Sequence, residues 1–124
     1  MKIIDLAFFV YAVTDLAVAR PFYEGTLGLK PSKTYLSPDG KQGMIEYDIG
    51  PATLAIGCGA PLFSPSAAGG VASLEVEDFD AAIAALRKDN VPIKFGPHET
   101  PVCWMAVVAD PDGNTIMLHR RKAR

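Results

Sequence analysis

The chain repeats itself once, and that repeat limits its possible folds more than any other feature. An offset of 63 residues lays Val13 on Val76, Asp15 on Asp78, Ala19 on Ala82 and Tyr23 on Leu86. An offset one shorter carries Asp48 onto Asp110 and Leu54-Ala55-Ile56 onto Ile116-Met117-Leu118. Two copies are too few for a solenoid, so the pattern predicts a pair of modules.

Each copy reads strand–helix–strand–strand–strand. In the first, Leu6 to Val13 is an unbroken apolar run suited to a buried strand. Asp15 can cap a helix along Leu16, Ala19, Phe22, Tyr23 and Leu27, with Gly28 as its stop. Pro21 lies inside that stripe and predicts a late start or a kink, because it lacks an N–H and crowds the preceding turn. Lys33–Ser37, Met44–Ile49 and Ala52–Gly57 read as strands, separated by the turns Pro38-Asp39-Gly40 and Gly50-Pro51.

In the second copy Val71–Val76 is a strand. Asp78 caps a helix carrying Phe79, Ala82, Ile83 and Leu86, and Asn90 ends it. Val91–Phe95 reads as a short strand, His98–Pro101 as a loop, and Trp104–Ala109 and Thr115–His119 as strands joined by the tight turn Asp110-Pro111-Asp112-Gly113-Asn114. Module one spans 1–58, an uncharged Ala/Pro/Ser/Gly connector 59–70, and module two 71–124, within one domain.

Composition narrows the function classes. At 49% hydrophobic and 21% charged, the 124 residues are too apolar to be disordered and long enough to bury a core. A net charge of −2 gives no reason to expect a nucleic-acid partner. The basic cluster His119, Arg120, Arg121, Lys122 and Arg124 reads as a solvated, frayed tail. Cys58 and Cys103 form no C-x-x-C pair and read as buried free thiols. Asp5 interrupts what would be a signal segment, and no apolar run is long enough for a membrane span. A soluble cytoplasmic protein is expected, with no membrane partner.

The order Val13-Thr14-Asp15-Leu16, Phe22-Tyr23, Leu27-Gly28-Leu29 and Asp110-Pro111-Asp112-Gly113-Asn114 resembles the vicinal-oxygen-chelate superfamily of glyoxalases, bleomycin-resistance proteins and dioxygenases. The resemblance covers essentially the whole chain. It implies an α+β fold of two βαβββ modules pairing into a curled mixed sheet around a central cleft, and a homodimer. It also implies four metal-ligand positions, one on the first and one on the last strand of each module, which fall on Phe8, Ala55, Val71 and Met117. None is His, Asp or Glu. The first three offer no lone pair, and a thioether suits soft ions rather than hard ones. No metal and no other cofactor is therefore expected.

The cleft implied by these residues has an apolar floor of Phe8, Ala55, Val71 and Met117, suited to a small aromatic or amphipathic molecule. Repeat equivalence assigns Met105, Val107 and Ala109 to the helix-covered face with Ile45, Tyr47 and Ile49. That leaves Trp104 on the cleft side as a stacking platform, or at an interface, with Glu46 or His119 as polar anchors. An alternative is a metal-dependent lyase or dioxygenase using a displaced site of His119, Glu75 and Glu46, with His98 swinging in from its loop. A second alternative is a non-catalytic structural or regulatory subunit. No nucleophile elbow and no Gly-rich phosphate loop is present in the sequence.

Overall fold

The computed structural model describes residues 1–61 and 63–123. The chain divides into two units, Met1–Pro65 and Ser66–Arg124, and the division falls inside the connector. Arg124, counted above in the basic cluster, lies outside the described residues.

In the first unit β1 (Phe9–Ala12) begins three residues later than its apolar run suggests, and Met1 to Phe8 precede it exposed. Asp15 then accepts the Ala17 N–H at 2.8 Å and starts α1 (Leu16–Arg20). The Pro21 conflict is resolved by a change of coil. Residues Pro21–Thr26 form a wider π-helical turn in which the Leu27 N–H reaches the Phe22 carbonyl at 2.9 Å. The α pattern thus ends where proline removes its donor.

β2 (Pro31–Leu36), β3 (Gly43–Ile49) and β4 (Ala52–Cys58) complete a sheet of order β1-β4-β3-β2, with β1 parallel to β4 and the other pairs antiparallel. One face buries Tyr11, Ile45, Tyr47, Leu54 and Ile56 with Leu16, Ala19, Phe22 and Tyr23. Tyr23 stacks on Tyr47 at 6.2 Å between centroids and meets Phe22 edge-on at 5.1 Å.

The second unit repeats this plan. β5 (Ala72–Glu75) leads to α2 (Phe79–Lys88), capped by Asp78 accepting the Ala81 N–H at 3.0 Å. Asn90 follows at φ 55°, a left-handed stop that asparagine tolerates. β6 (Ile93–Glu99), β7 (Cys103–Ala109) and β8 (Thr115–Arg121) give the order β5-β8-β7-β6. Phe79, Ile83 and Leu86 of α2 are buried, as are Ala106, Val108, Ile116 and Leu118 on one face of the sheet.

Two expectations are corrected here. His98 lies in β6 rather than in a loop, because the strand passes through a bulge at Gly96 instead of ending at Phe95. A Cβ at Gly96 (φ 91°) would lie 2.9 Å from the Met105 carbonyl oxygen, so this close approach requires glycine. The basic cluster is also not a frayed tail through its described length. Arg120 and Arg121 pair within β8, and the Lys122 N–H donates to the Val102 carbonyl at 2.9 Å.

Candidate functional site

In each sheet the face away from the helix carries most of the residues that the sequence singles out, Trp104 excepted. Register places Val10, Ala55 and Glu46 side by side on β1, β4 and β3, with Lys33 next in line on β2. Ala55 is fully buried, Glu46 is partly exposed, and Phe8 is 42% exposed just ahead of β1. Phe63, from the connector, lies against Gly57 on this face, with its ring edge 3.1 Å from where a Cβ would stand.

On the second sheet two rows run across the strands of the corresponding face. One is Phe95, Val107, Met117 and Ser73; the other is His98, Met105, His119 and Glu75. Val71, directly before β5, is 45% exposed and Phe95 is 48% exposed. Met105, Val107 and Met117 are all partly exposed, giving an apolar strip bordered by a polar row. Sequence reasoning passes over Phe95 and assigns Met105 and Val107 to the helix-covered face, whereas the register puts them opposite it, beside Met117 and His119. Counting alternate residues through the observed hairpin from Met117 finds Met105 and Val107.

Glu75 and His119 form the polar end of this face. His119 Nδ1 lies 2.6 Å from Glu75 Oε1, and Glu75 Oε2 accepts the Arg121 N–H at 2.7 Å. The Arg121 N–H first, and His119 second, hold the Glu75 carboxyl below the usual carboxylate range. A carboxylate can only accept, so it selects the imidazole form that carries its proton on Nδ1. Beside them a cleft of about 380 Å³ opens between His119, Arg121, Cys103 and Val102. The Cys103 thiol lies 3.2 Å from Thr100 Oγ1, and Cys58 Sγ donates to the Thr14 carbonyl at 3.2 Å.

Trp104 is on the other side of the sheet. It shares its face with Ala106 and Val108, and it lines a recess of about 430 Å³ with Phe79, Asp80 and Arg120 at the start of α2. Lys122 Nζ sits 4.9 Å above its ring and also pairs with Glu99. The expectation that Trp104 lies on the cleft side as a stacking platform fails by one residue. Leu54 corresponds to Ile116, and their partners are Tyr47 and Val108, one short of the offset that carries Asp48 onto Asp110. A two-residue turn joins β3 and β4, while five residues join β7 and β8. A slip of one residue in a strand exchanges its faces.

Of the displaced metal set, Glu75 and His119 meet. His98 is separated from His119 by the intervening strand of Met105, and its ring lies 5.4 Å from Phe95. Glu46 belongs to the sheet of the first unit.

The profile of the Glyoxalase/Bleomycin resistance protein/Dioxygenase superfamily matches residues 5–118. The chain belongs to this superfamily. Among solved structures, TnmS3, an antibiotic binding protein from Streptomyces sp. CB03234, is 27% identical with a TM-score of 0.77, covering 98% of this chain and 99% of its own. A glyoxalase/bleomycin resistance protein from the same Streptomyces is 28% identical with a TM-score of 0.71, over 92% of this chain and 98% of its own. The trypanothione-dependent glyoxalase I of Leishmania major is 29% identical with a TM-score of 0.70, over 94% and 86% respectively. No curated protein sequence matches.

The metal-ligand positions that the superfamily resemblance assigns hold Phe8, Ala55, Val71 and Met117, and these do not fit a hard divalent ion. Among the described residues no group of three or more His, Cys, Asp or Glu converges. Glu75 and His119 are two donors already committed to each other.

Proposed function

We propose that this protein binds a small aromatic or amphipathic molecule without chemical turnover, using the apolar sheet face of Val71, Phe95, Met105, Val107 and Met117 in the second unit. The observation that carries this reading is the replacement of all four expected metal-ligand positions by side chains lacking nitrogen or oxygen donors. Likeness to TnmS3 over nearly the whole of both chains supports it. Affinity would come from apolar burial and ring contact, with adaptable thioethers at Met105 and Met117.

A titration with the amphipathic fluorophore 1-anilinonaphthalene-8-sulfonate, with and without EDTA, tests the reading. Saturable binding that EDTA leaves unchanged is the expected result. A near-stoichiometric divalent ion in protein purified without chelator, or the absence of saturable binding, would overturn it. The 29% identity to a glyoxalase I favours a second reading, a metal-dependent lyase or dioxygenase using Glu75 and His119. Turnover abolished both by EDTA and by His119→Ala would establish that reading instead.

A homodimer is part of the proposal. It is supported by the bare aliphatic surface of Ile3, Ile4 and Leu6, each at least 80% exposed. Sedimentation equilibrium showing only the 13.2 kDa species at micromolar concentration would refute it. Residence in the cytoplasm is also proposed, in keeping with the free cysteine Cys103; among the described residues no helix is long and apolar enough to cross a membrane.

A further inference from the structure

We infer that His119, oriented by Glu75, selects ligands that present a phenolic or enolic O–H beside a flat apolar body. The inference rests on the binding role proposed above and adds the chemical class of its ligand.

Three observations carry it. First, Glu75 engages His119 through Nδ1, so that Nδ1 donates to the carboxylate. In the neutral imidazole the other nitrogen, Nε2, is then an acceptor. Among the described residues Nε2 has no hydrogen-bond partner, so in that neutral form the ring nitrogen left for a ligand is an acceptor. Second, the carboxylate is itself pinned, because its second oxygen accepts the Arg121 N–H at 2.7 Å. The imidazole is held against a fixed group, and little ordering remains to be done when a ligand arrives. Third, the surroundings are apolar. His119 is flanked across the strands by Met105, and Met117 lies two residues along the same face, with Val107 and Phe95 beyond.

A ligand that is flat and apolar but carries one hydroxyl donor matches this arrangement. Its body covers Met105, Val107 and Met117, and its O–H meets Nε2. An ether or a bare hydrocarbon of the same outline leaves Nε2 desolvated and without a donor, which costs affinity. The Arg121 guanidinium, which makes no ion pair among the described residues, borders the adjoining cleft and favours a hydroxyl polarised toward the phenolate.

The test uses 2-naphthol and 2-methoxynaphthalene as matched probes, titrated calorimetrically into the full chain. The wild-type protein is expected to prefer the naphthol by about five- to tenfold, the worth of one hydrogen bond in an apolar setting. His119→Phe, which keeps a ring but removes the acceptor, should reduce the preference to within twofold while retaining affinity for the ether. Glu75→Gln should weaken the preference and shift the His119 imidazole ¹⁵N resonances away from the Nδ1–H pattern, a signature that loss of packing alone does not produce. Equal binding of both probes to wild-type protein overturns the His119 inference and leaves the binding role standing. Failure of both probes to bind overturns the inference together with that role. Preference that survives His119→Phe assigns the selection to another group and likewise overturns it.

Discussion

Glu75 and His119 are register partners on the parallel strands β5 and β8, and their side chains close to 2.6 Å between Oε1 and Nδ1. Neighbouring strands stand about 4.8 Å apart, so partners on one face meet without strain. The Arg121 N–H on the other carboxylate oxygen and His119 on the first both favour the charged form of Glu75. Its folded-state pKa is therefore depressed, and its contribution to stability is complete above the unfolded carboxylate value of about 4.3. It is lost as pH falls through the lower folded value. The side chain is about one-third exposed, so solvent screening keeps the contribution to about 0.5 kcal/mol. Glu75→Gln should melt about 2 °C below wild type at pH 7 and converge with it by pH 3. Melting curves across that range check this, and a gap independent of pH would contradict it.

The turn Asp110-Pro111-Asp112-Gly113-Asn114 is more than a hairpin. Asp110 Oδ1 accepts the N–H groups of Asp112 at 2.9 Å and Asn114 at 2.8 Å, while Oδ2 accepts Asn114 Nδ2 at 2.9 Å. Asn114 Oδ1 in turn accepts the Ser66 N–H at 3.0 Å, clipping the end of the connector to the turn. Asp110 and Asn114 are both buried, so Asp110→Ala leaves donors without partners, at about 2–3 kcal/mol. A fall in Tm of about 6–12 °C is expected. A fall below 2 °C would show that water replaces these bonds.

Much of this fold was legible because its punctuation is local. Asp15 and Asp78 start the helices that their positions announce, and Asn90 ends the second. The apolar face of Ile45 and Tyr47 is the helix-covered one, as their composition implies. What sequence could not fix was register across a turn of unequal length, and that error alone moved Trp104 to the wrong face. The bulge at Gly96 likewise depends on a close approach by Met105, a contact distant in sequence, so β6 read as ending before His98. The pairing of Glu75 with His119 was anticipated only as joint membership of a displaced metal site. Their hydrogen bond depends on a parallel alignment between strands 44 residues apart.

Trp104 and Met117 now separate two accounts of ligand binding. Trp104 shares the α2 side with Ala106 and Val108, whereas Met117 lies on the opposite face beside Val107. Trp104→Phe should leave affinity for an aromatic probe within twofold. Met117→Lys should lower it at least tenfold by placing a charge on the apolar strip. Equilibrium binding of both variants decides, and the reverse ranking would return the site to the indole.

Tyr47 is fully buried, and its O–H donates to Glu24 Oε2 at 2.8 Å, where Arg20 Nε also donates at 2.7 Å. Burial first, and the bond to Glu24 second, push the phenol well above its ordinary value. A raised folded-state pKa means the stabilisation is complete below the unfolded value of about 10 and is lost as pH rises toward the folded one. Tyr47→Phe should cost about 1 kcal/mol at pH 7, the worth of the hydrogen bond. Above pH 10 the gap should close and then reverse, because the variant has no phenol to ionise on unfolding. Urea midpoints at pH 7 and pH 11 test the crossing, and parallel losses in the two proteins would refute it.

Gly57 and Phe63 supply a test of how the connector meets the first sheet. A Cβ at Gly57 would stand 3.1 Å from Phe63 Cε1 and 3.6 Å from Val10 Cγ2, and the first distance is below ordinary carbon contact. The obstacle is the edge of a ring on a non-regular segment, so it can give way, whereas a strand backbone could not. Gly57→Ala therefore sets two small terms against each other. Alanine gains up to about 1 kcal/mol over glycine within a strand, and it loses a similar amount by pushing the ring off the sheet. Near-neutral stability is expected for this single change. In a Phe63→Ala background the obstruction is gone, and the same Gly57→Ala change should stabilise by about 0.5–1 kcal/mol. The coupling read from a double-mutant cycle should thus approach 1 kcal/mol, well beyond the scatter of independent sites. Additive effects would mean that Phe63 does not rest on Gly57 in solution.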